Sequence, residues 1–573
     1  MLSLFNSYFK TAARNIWKTK FFSSLNLIGL TVGFCCFLFI ALYIQYESSF
    51  DRYHEKSDRI YRVPQVQEGN VFRGTDRFAL AASGLGPALM ETFPEVEVVS
   101  TLRTSESLFI KDNRAFYEKG LYCDENLFDV FSFEVLKGNG LEAIKGPGTI
   151  LLCESFAKKH YGNEDPIGEV LELESGEPLT IVGLVKDSPK NSHFTFNFIA
   201  SFENLPFHQP RVWNSNNYYA YAVLKEGTNI AELEEKLIAI DRKYLQSDDD
   251  EPITESRFFL QPLTDIHLHS KLNFEIAPNA DIRYIYFFGT IAIIILLIAM
   301  INYLNFAIAD SERRATEVGM RKALGARRNQ LIHQFLGESL LLTLISFIIA
   351  NVLVWLFLPI LNTYLDQEII FSYRDNLWLL GCLFLVAILV GLGAGFYPAV
   401  FISRVAPMKA LKGNIIGMYQ KSNWLRNASV TSQFVAAIVL AIASLVVLQQ
   451  LNYIQDKRLG FDEEQVVFIP YPNGKVYEQE AVIKASLLEN PNISEVAFSQ
   501  AVPLNMYGSG RVRNCEGSTG EEIFVPYRNY IDYDFIDLYG MEILDGRAFS
   551  EDFQADSIPQ FILNETAVKT LGW

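Results

Sequence analysis

Residues 310–339 read DSERRATEVGMRKALGARRNQLIHQFLGES, and this stretch decides how the rest of the chain is organised. It carries six basic residues, Arg313, Arg314, Arg321, Lys322, Arg327 and Arg328, against Asp310, Glu312 and Glu317, before Glu338. The 26 residues before it, Tyr284 to Ala309, hold no charge, and after Glu338 a second uncharged run continues to Leu365. A basic segment between two bilayer-length apolar runs belongs on the cytoplasmic side of a membrane. Cations that only set topology would satisfy that rule, but the order of residues here carries more. Glu317 and Arg321 are one helical turn apart and can pair, while Gly319 and Gly325 interrupt good helix formers, as in a helix that stops and turns.

At 573 residues the chain is too long for one domain, and half of it is hydrophobic. That apolar half is concentrated in five long runs, which makes the chain an integral membrane protein with soluble parts. Charge is unevenly spread. Residues 1–20 contain Lys10, Arg14, Lys18 and Lys20 and no acid, and residues 404–426 contain Arg404, Lys409, Lys412, Lys421 and Arg426 and no acid. With the basic turn, these segments hold a net +12, so the remainder of a chain of formal charge −17 carries −29. Basic segments on one side and acidic domains on the other define a membrane orientation and exclude a nucleic-acid binder.

Taken in order, residues 1–20 space Leu2, Phe5, Phe9, Ala12, Ala13, Ile16 and Trp17 by threes and fours, predicting an amphipathic helix at the inner membrane surface. The first span, 21–46, is too long for a cleaved leader and reads as an anchor, with Gly29 and Gly33 placed for close helix packing. Residues 47–283 form a soluble mixed α and β domain. Its predicted strands include 179–185 and 218–224, and its predicted helices 153–160 and 230–245. Further spans follow at 284–309, 339–361, 377–402 and 427–455. The loop between the third and fourth holds Asp366, Glu368 and Asp375 against Arg374 and lies outside. Gly391, Gly393 and Gly395 permit close approach in the fourth span, and Pro398 predicts a kink near its cytoplasmic end. Six cysteines show no C-x-x-C; Cys35, Cys36 and Cys382 sit in apolar runs, and a Cys123–Cys153 bridge is open if that side is oxidising.

The outer parts repeat. FDVFSFEVLKG (128–138) aligns without gaps on IDLYGMEILDG (536–546), and CESFAKKHYG (153–162) returns one residue shorter as NETAVKTLG (564–572). Extending the second copy to the length of the first predicts a protein of roughly 800 residues with eight spans, of which this chain, read as truncated at its C-terminus, holds five.

The basic turn resembles the cytoplasmic signature of MacB/FtsX-type ABC transporter permeases, in which a run like rR-x-x-E-I-G-x-R-K-A-L-G-A precedes Q-F-L-x-E-S. The end of the fourth span, GFYPAVFISR (395–404), resembles the same family's G-x-Y-P-A-x-x-x-S-R. SSFDRYHEKSDRIYRV (48–63), DPIGEVL (165–171), IVGLVKDSPKNSHFTFNF (181–198) and LQPLTDIHLHS (260–270) resemble its periplasmic domain. The resemblance implies an α-helical inner-membrane protein, N-terminus cytoplasmic, with mixed α/β (α+β) periplasmic domains. Residues 47–283 would be a first MacB-like copy, 284–426 an FtsX-like permease domain with its coupling segment at 310–338, and 456–573 a second, incomplete copy. It also implies a dimer of permeases and docking of the basic turn on an ATPase subunit, with Glu317, Gly319, Arg321, Lys322, Leu324 and Gly325 as the contact.

No catalytic constellation accompanies these features. The one Gly-Lys, Gly474-Lys475, is followed by Val476, and Ile469 stands where a phosphate-cradling loop needs its first glycine. H-E-x-x-H and G-x-S-x-G do not occur. His267 and His269 alternate on a predicted strand, with no carboxylate at a metal-ligand spacing, so no metal or cofactor is expected. None of the five spans has an ionisable residue in its interior, which argues against a hydrophilic path; Asn302, Asn305 and Asn351 read as interhelical glue. The expectation is a permease that is not itself an enzyme. It would transmit the stroke of a separate cytoplasmic ATPase to periplasmic domains, for export or extraction of peptides, hydrophobic drugs or lipoproteins, with a periplasmic adaptor and outer-membrane channel as possible companions. The alternative is a non-transporting regulator using the same motion on a periplasmic partner such as a cell-wall hydrolase.

Overall fold

The computed structural model describes residues 20–67, 75–111, 114–173, 176–205, 208, 210–213, 215–245, 256–370, 377–403, 423–457, 465–469, 479–503, 527–550, 552–553 and 560–573. The amphipathic segment expected at 1–20 and the basic segment at 404–426 fall largely outside them. Two compact units result: residues 1–50, 267–269 and 280–451 form one, and residues 51–266, 270–279 and 452–573 the other.

The first unit is built from long helices: α1 (Lys20–Glu47), α2 (Ile282–Ala323), α3 (Arg328–Leu365), α4 (Leu377–Ser403) and α5 (Asn423–Asp456). Apolar runs without water must satisfy their backbone internally, and a helix does so within one segment. Four of these helices are long and apolar enough to cross a membrane, and α4 contains a shorter apolar stretch, Leu380–Phe396. On α1, Leu30, Phe34, Leu38 and Leu42 are buried at every fourth position, one ridge of the helix surface, and they share a core with Ala299, Tyr303, Phe347, Ala350, Val354, Leu383 and Ala387. Small residues set the closest approaches. A Cβ on Gly33 would meet the Ala299 Cβ at 2.5 Å, and one on Gly395 the Ser339 Oγ at 2.6 Å. Gly391 lies against Leu340 and Thr343, Gly393 meets only the Met300 sulfur at ordinary contact, and Gly29 faces open space. A Gly33→Leu variant should therefore lose detergent-extracted stability, read as a fall in Tm, while Gly29→Leu should not. Asn351, expected as interhelical glue, donates to Phe347 O of its own helix at 2.7 Å, while Tyr303 OH to Ser339 Oγ at 2.7 Å and Gln433 Nε2 to Ile298 O at 3.3 Å are bonds between helices.

The second unit carries an 11-stranded sheet. Its strands are β1 (Ile60–Arg62), β2 (Val96–Lys111), β3 (Arg114–Cys123), β4 (Val135–Gly138), β5 (Thr149–Cys153), β6 (Val170–Leu173), β7 (Pro178–Val185), β8 (Phe198–Ser201), β9 (Asn216–Leu224) and β10 (Gln261–Pro262). They run in the order β10-β1-β9-β2-β3-β8-β5-β7-β4, with β6 pairing both β7 and β2 and Ala81–Ala82 pairing β9. Strand β9 shows why the sheet is covered on both sides. Tyr219, Tyr221 and Val223 enter one core with Phe109, Phe131, Phe194 and Phe198, whereas Ala220, Ala222 and Leu224 enter another with Leu85, Leu89, Leu233 and Ile240. Alternate side chains point to opposite faces; large residues fill the first core, and two alanines let the Leu85–Thr92 and Ile230–Tyr244 helical segments approach the second.

Two expectations are corrected, and the open question of a Cys123–Cys153 bridge is answered. The predicted 230–245 helix is two, Ile230–Lys236 and Ile238–Tyr244, broken at the buried Leu237. His267 and His269 lie on a helical turn, Ile266–His269, rather than a strand. Cys123 and Cys153 are free and buried. They sit on β3 and β5, which flank β8 on either side, so two strand spacings, about 9.5 Å, separate them. Their thiols donate instead to the carbonyls of Ala200 and Phe196.

The repeat has a structural counterpart inside this unit. The short helix Leu127–Val130 returns at Phe535–Leu538, and Gly138 (φ +80°) at Gly546 (φ +86°). The helix Glu154–Tyr161 returns at Glu565–Leu571, each closed by a glycine of positive φ, Gly162 and Gly572. In the first copy a Cβ on Gly138 would lie 2.1 Å from Val182 O, so both its φ and its crowding require glycine.

Buried polar groups pin the sheet. Asp51, in the left-handed region at φ +59°, accepts from the His193 N–H and the Ser192 hydroxyl, each at 3.1 Å; His193 Nε2 lies 2.8 Å from Tyr221 OH. Burial pushes the nearby His54 down to about 4, Asp51 opposing this and His193 adding to it. Burial raises Asp124 to about 6 despite the bonds it accepts from Thr101, Ser100 and Asn126. The signs oppose. Below about pH 6.5 the unfolded chain binds a proton that folded His54 refuses until about pH 4, so stability falls there; folded Asp124 takes its proton earlier than the unfolded chain, so stability rises. Asp124→Asn should unmask the loss, up to about 1.4 kcal/mol per pH unit, as a falling urea midpoint between pH 6.5 and 4. His54→Phe should reverse the slope.

Candidate functional site at the basic turn

Helix α2 has 42 residues, about 63 Å at 1.5 Å per residue, twice the hydrocarbon thickness of a bilayer. Its apolar part ends at Asp310, and the last 13 residues, about 20 Å, project beyond it. The helix ends in a Schellman motif: Ala326 N–H donates to Arg321 O and Gly325 N–H to Lys322 O, each at 3.0 Å, with Gly325 at φ +96°. Helix α3 starts three residues later, and its Gln330 side chain accepts from the Arg327 N–H at 3.0 Å. A small core of Val318, Leu331 and Phe335 holds the two projecting helices together.

The six residues singled out in the sequence divide into two groups. Arg321 pairs with Glu317 at 2.5 Å and donates to Gln334 Oε1 at 2.9 Å, and Gln334 donates to Glu338 at 3.1 Å. Lys322 Nζ donates to the backbone carbonyl of Ser403 at 2.5 Å, and Gly319 is buried. Gly319, Arg321 and Lys322 face inward or sideways, while Glu317 is exposed. Leu324 is 88% exposed and Met320 50%, and both Gly325 and Arg327 are exposed. The turn thus presents a compact apolar knob with a cationic rim, on a rigid two-helix stalk. Burial, with the adjacent Arg328 charge, pulls the Lys322 ammonium below the ordinary lysine range. Pro398, expected to kink α4, lies within a helix that runs on to Ser403. Sequence reasoning missed Arg328 and Ser403 at this site, because their proximity depends on how α4 packs beside α3.

In the soluble unit the phrases that carried the resemblance are one another's partners. Asp51 of the first phrase meets Ser192 and His193 of another. Arg62 of the first donates to Gln261 and Ser270 of a third, and doubly to Glu275, at 2.5 and 2.8 Å. The Ser192 hydroxyl bonds the carboxylate of Asp51, which gives a fold-pinning network and no nucleophile–base pair. In the membrane unit, Glu47 at the end of α1 pairs with His267 at 2.6 Å, and His267 stacks on Phe50.

The chain combines helices of membrane-crossing length, a basic turn and a large mixed α/β domain, and comparison with known proteins specifies the family. Residues 23–240 match the MacB-like periplasmic core domain, and residues 289–407 match the FtsX-like permease C-terminal domain. The macrolide export ATP-binding/permease protein MacB of Mannheimia succiniciproducens is 24% identical over 55% of this chain and 47% of its own length. The pyoverdine export ATP-binding/permease protein PvdT of Pseudomonas entomophila is 22% identical over 70% of this chain and 59% of its own. The crystal structure of the periplasmic region of MacB from Actinobacillus actinomycetemcomitans aligns over 37% of this chain and 91% of that one, at 14% identity and a TM-score of 0.28. The chain spans about half the length of the curated relatives it matches. It belongs to the MacB/FtsX-type ABC transporter permeases, and is an inner-membrane protein with a periplasmic-type domain.

Proposed function

We propose that this chain is the transmembrane subunit of an ABC transporter complex and relays the stroke of a separate cytoplasmic ATPase to its periplasmic domains, for export or extraction of peptides, hydrophobic drugs or lipoproteins. The observation that carries this reading is the turn at 324–327: an exposed apolar knob, capped at Gly325, on two helices that continue into the membrane. A rigid stalk of that kind passes displacement along its axis, and the chain's single Gly-Lys lacks the spacing of a phosphate cradle. In this reading Leu324 and Gly325 touch the ATPase, while Glu317, Gly319, Arg321 and Lys322 hold the turn in shape. The N-terminus and the turn are cytoplasmic, the soluble domains periplasmic, and the permease works as a dimer, with a periplasmic adaptor and outer-membrane channel as candidate companions.

The test is affinity purification of the tagged chain from native membranes with ATP turnover measured on the eluate. Turnover should accompany a co-purifying nucleotide-binding subunit and be absent from the chain purified alone; turnover by the chain alone would refute the reading. Arg321→Glu sets a carboxylate beside Glu317 and Gln334 and should lower recovery of that subunit several-fold, with membrane insertion unchanged.

A further inference from the structure

Two cations of the basic turn meet Ser403 of α4. Lys322 Nζ donates to the Ser403 backbone carbonyl at 2.5 Å, and Arg328 Nε lies 3.3 Å from the Ser403 hydroxyl, which itself donates to Val400 O at 2.8 Å. Both contacts set a cationic donor against an oxygen of Ser403, and hydrogen bonds with an ionised donor are stronger than neutral ones. Lys322 is the second-last residue of α2 and Arg328 the first of α3. The two therefore reach the same residue from opposite sides of the Gly325 cap. Ser403 is 1% exposed, whereas Arg328 is exposed.

We propose that Lys322 and Arg328 are positioning residues that clamp the turn to α4 at Ser403, so that the turn and α4 move as one body. The consequence for function rests on the coupling reading above. Displacement applied at Leu324 would pass to α4 directly, as well as along α2 and α3. Lys322 would then serve the stroke without touching the ATPase. Neither cation is needed to satisfy the turn itself, whose backbone bonds are made by Gly325 and Ala326.

The experiment uses the full chain in lipid nanodiscs, with its native cysteines replaced and spin labels at Leu324→Cys and Phe396→Cys, both exposed positions. The parent should give one narrow distance distribution. Lys322→Met with Arg328→Met should at least double its width, and Lys322→Arg in the parent, which keeps a donor within reach of the Ser403 carbonyl, should leave the parent width unchanged. A control pair at Val32→Cys and Leu297→Cys should stay unchanged. Equal widths in parent and double variant would overturn the proposal, as would a control pair that broadens equally, since that marks general loosening. No ATPase is present in this measurement, so failure of the clamp and failure of the coupling reading are separate results.

Discussion

Gly325→Pro should abolish recovery of the ATPase subunit with the permease while leaving the protein inserted at normal yield. Gly325 sits at φ +96°, which proline, held near −65°, cannot adopt, and its N–H closes the bond to Lys322 O that proline cannot make. Strain and a lost cap together cost about 3 kcal/mol or more, concentrated in one exposed turn. Insertion depends on the apolar runs of α2 and α3, which the substitution does not touch. The expected result is a normal membrane fraction and at least a ten-fold loss of the subunit on affinity purification. Full recovery would mean that the turn is not the docking element. Gly325→Ala is the graded control: no neighbour obstructs an added Cβ, so only the positive φ penalises it, and the loss should be partial.

The second large effect lies in the soluble unit. Arg62 is fully buried, and its charge is answered by a two-pronged pair with Glu275. Removing one member of such a pair leaves an uncompensated charge away from water, which typically costs about 3–5 kcal/mol. Glu275→Leu should therefore shift the urea midpoint followed by Trp213 fluorescence to much lower denaturant. The double variant Arg62→Met, Glu275→Leu should recover much of that loss, because two apolar groups leave no orphaned charge. A double variant as unstable as the single would show that packing around Arg62, and not its charge, holds the sheet edge.

Legibility in the sequence followed the range of the interaction concerned. Of the five expected spans, four are helices long and apolar enough to cross a membrane among the described residues. The glycine stop of the basic turn, the Glu317–Arg321 pair and strands β7 and β9 rest on spacings of a few residues, and these were readable. So was the repeat, whose glycines at 138 and 546 share a positive φ. The helix at 230–245 was misjudged because its pattern runs through Leu237, where burial of that side chain coincides with a break in the helix. The His267 strand was misjudged for a related reason. Alternation of two histidines over three residues fits a helical turn as well, and only the pairing with Glu47, 220 positions away, distinguishes them.

What the amino-acid order alone determined was the class of molecule: bilayer-length uncharged runs have no stable state in water. It also located the turn, since a glycine after a basic last turn closes a helix through local bonds. Only the tertiary structure decided which cations at the turn reach α4. Lys322 and Arg328 are 81 and 75 residues from Ser403. Contacts at that separation are set by helix packing around Gly391 and Gly395, which lets α4 approach α3 closely, and no local spacing encodes them.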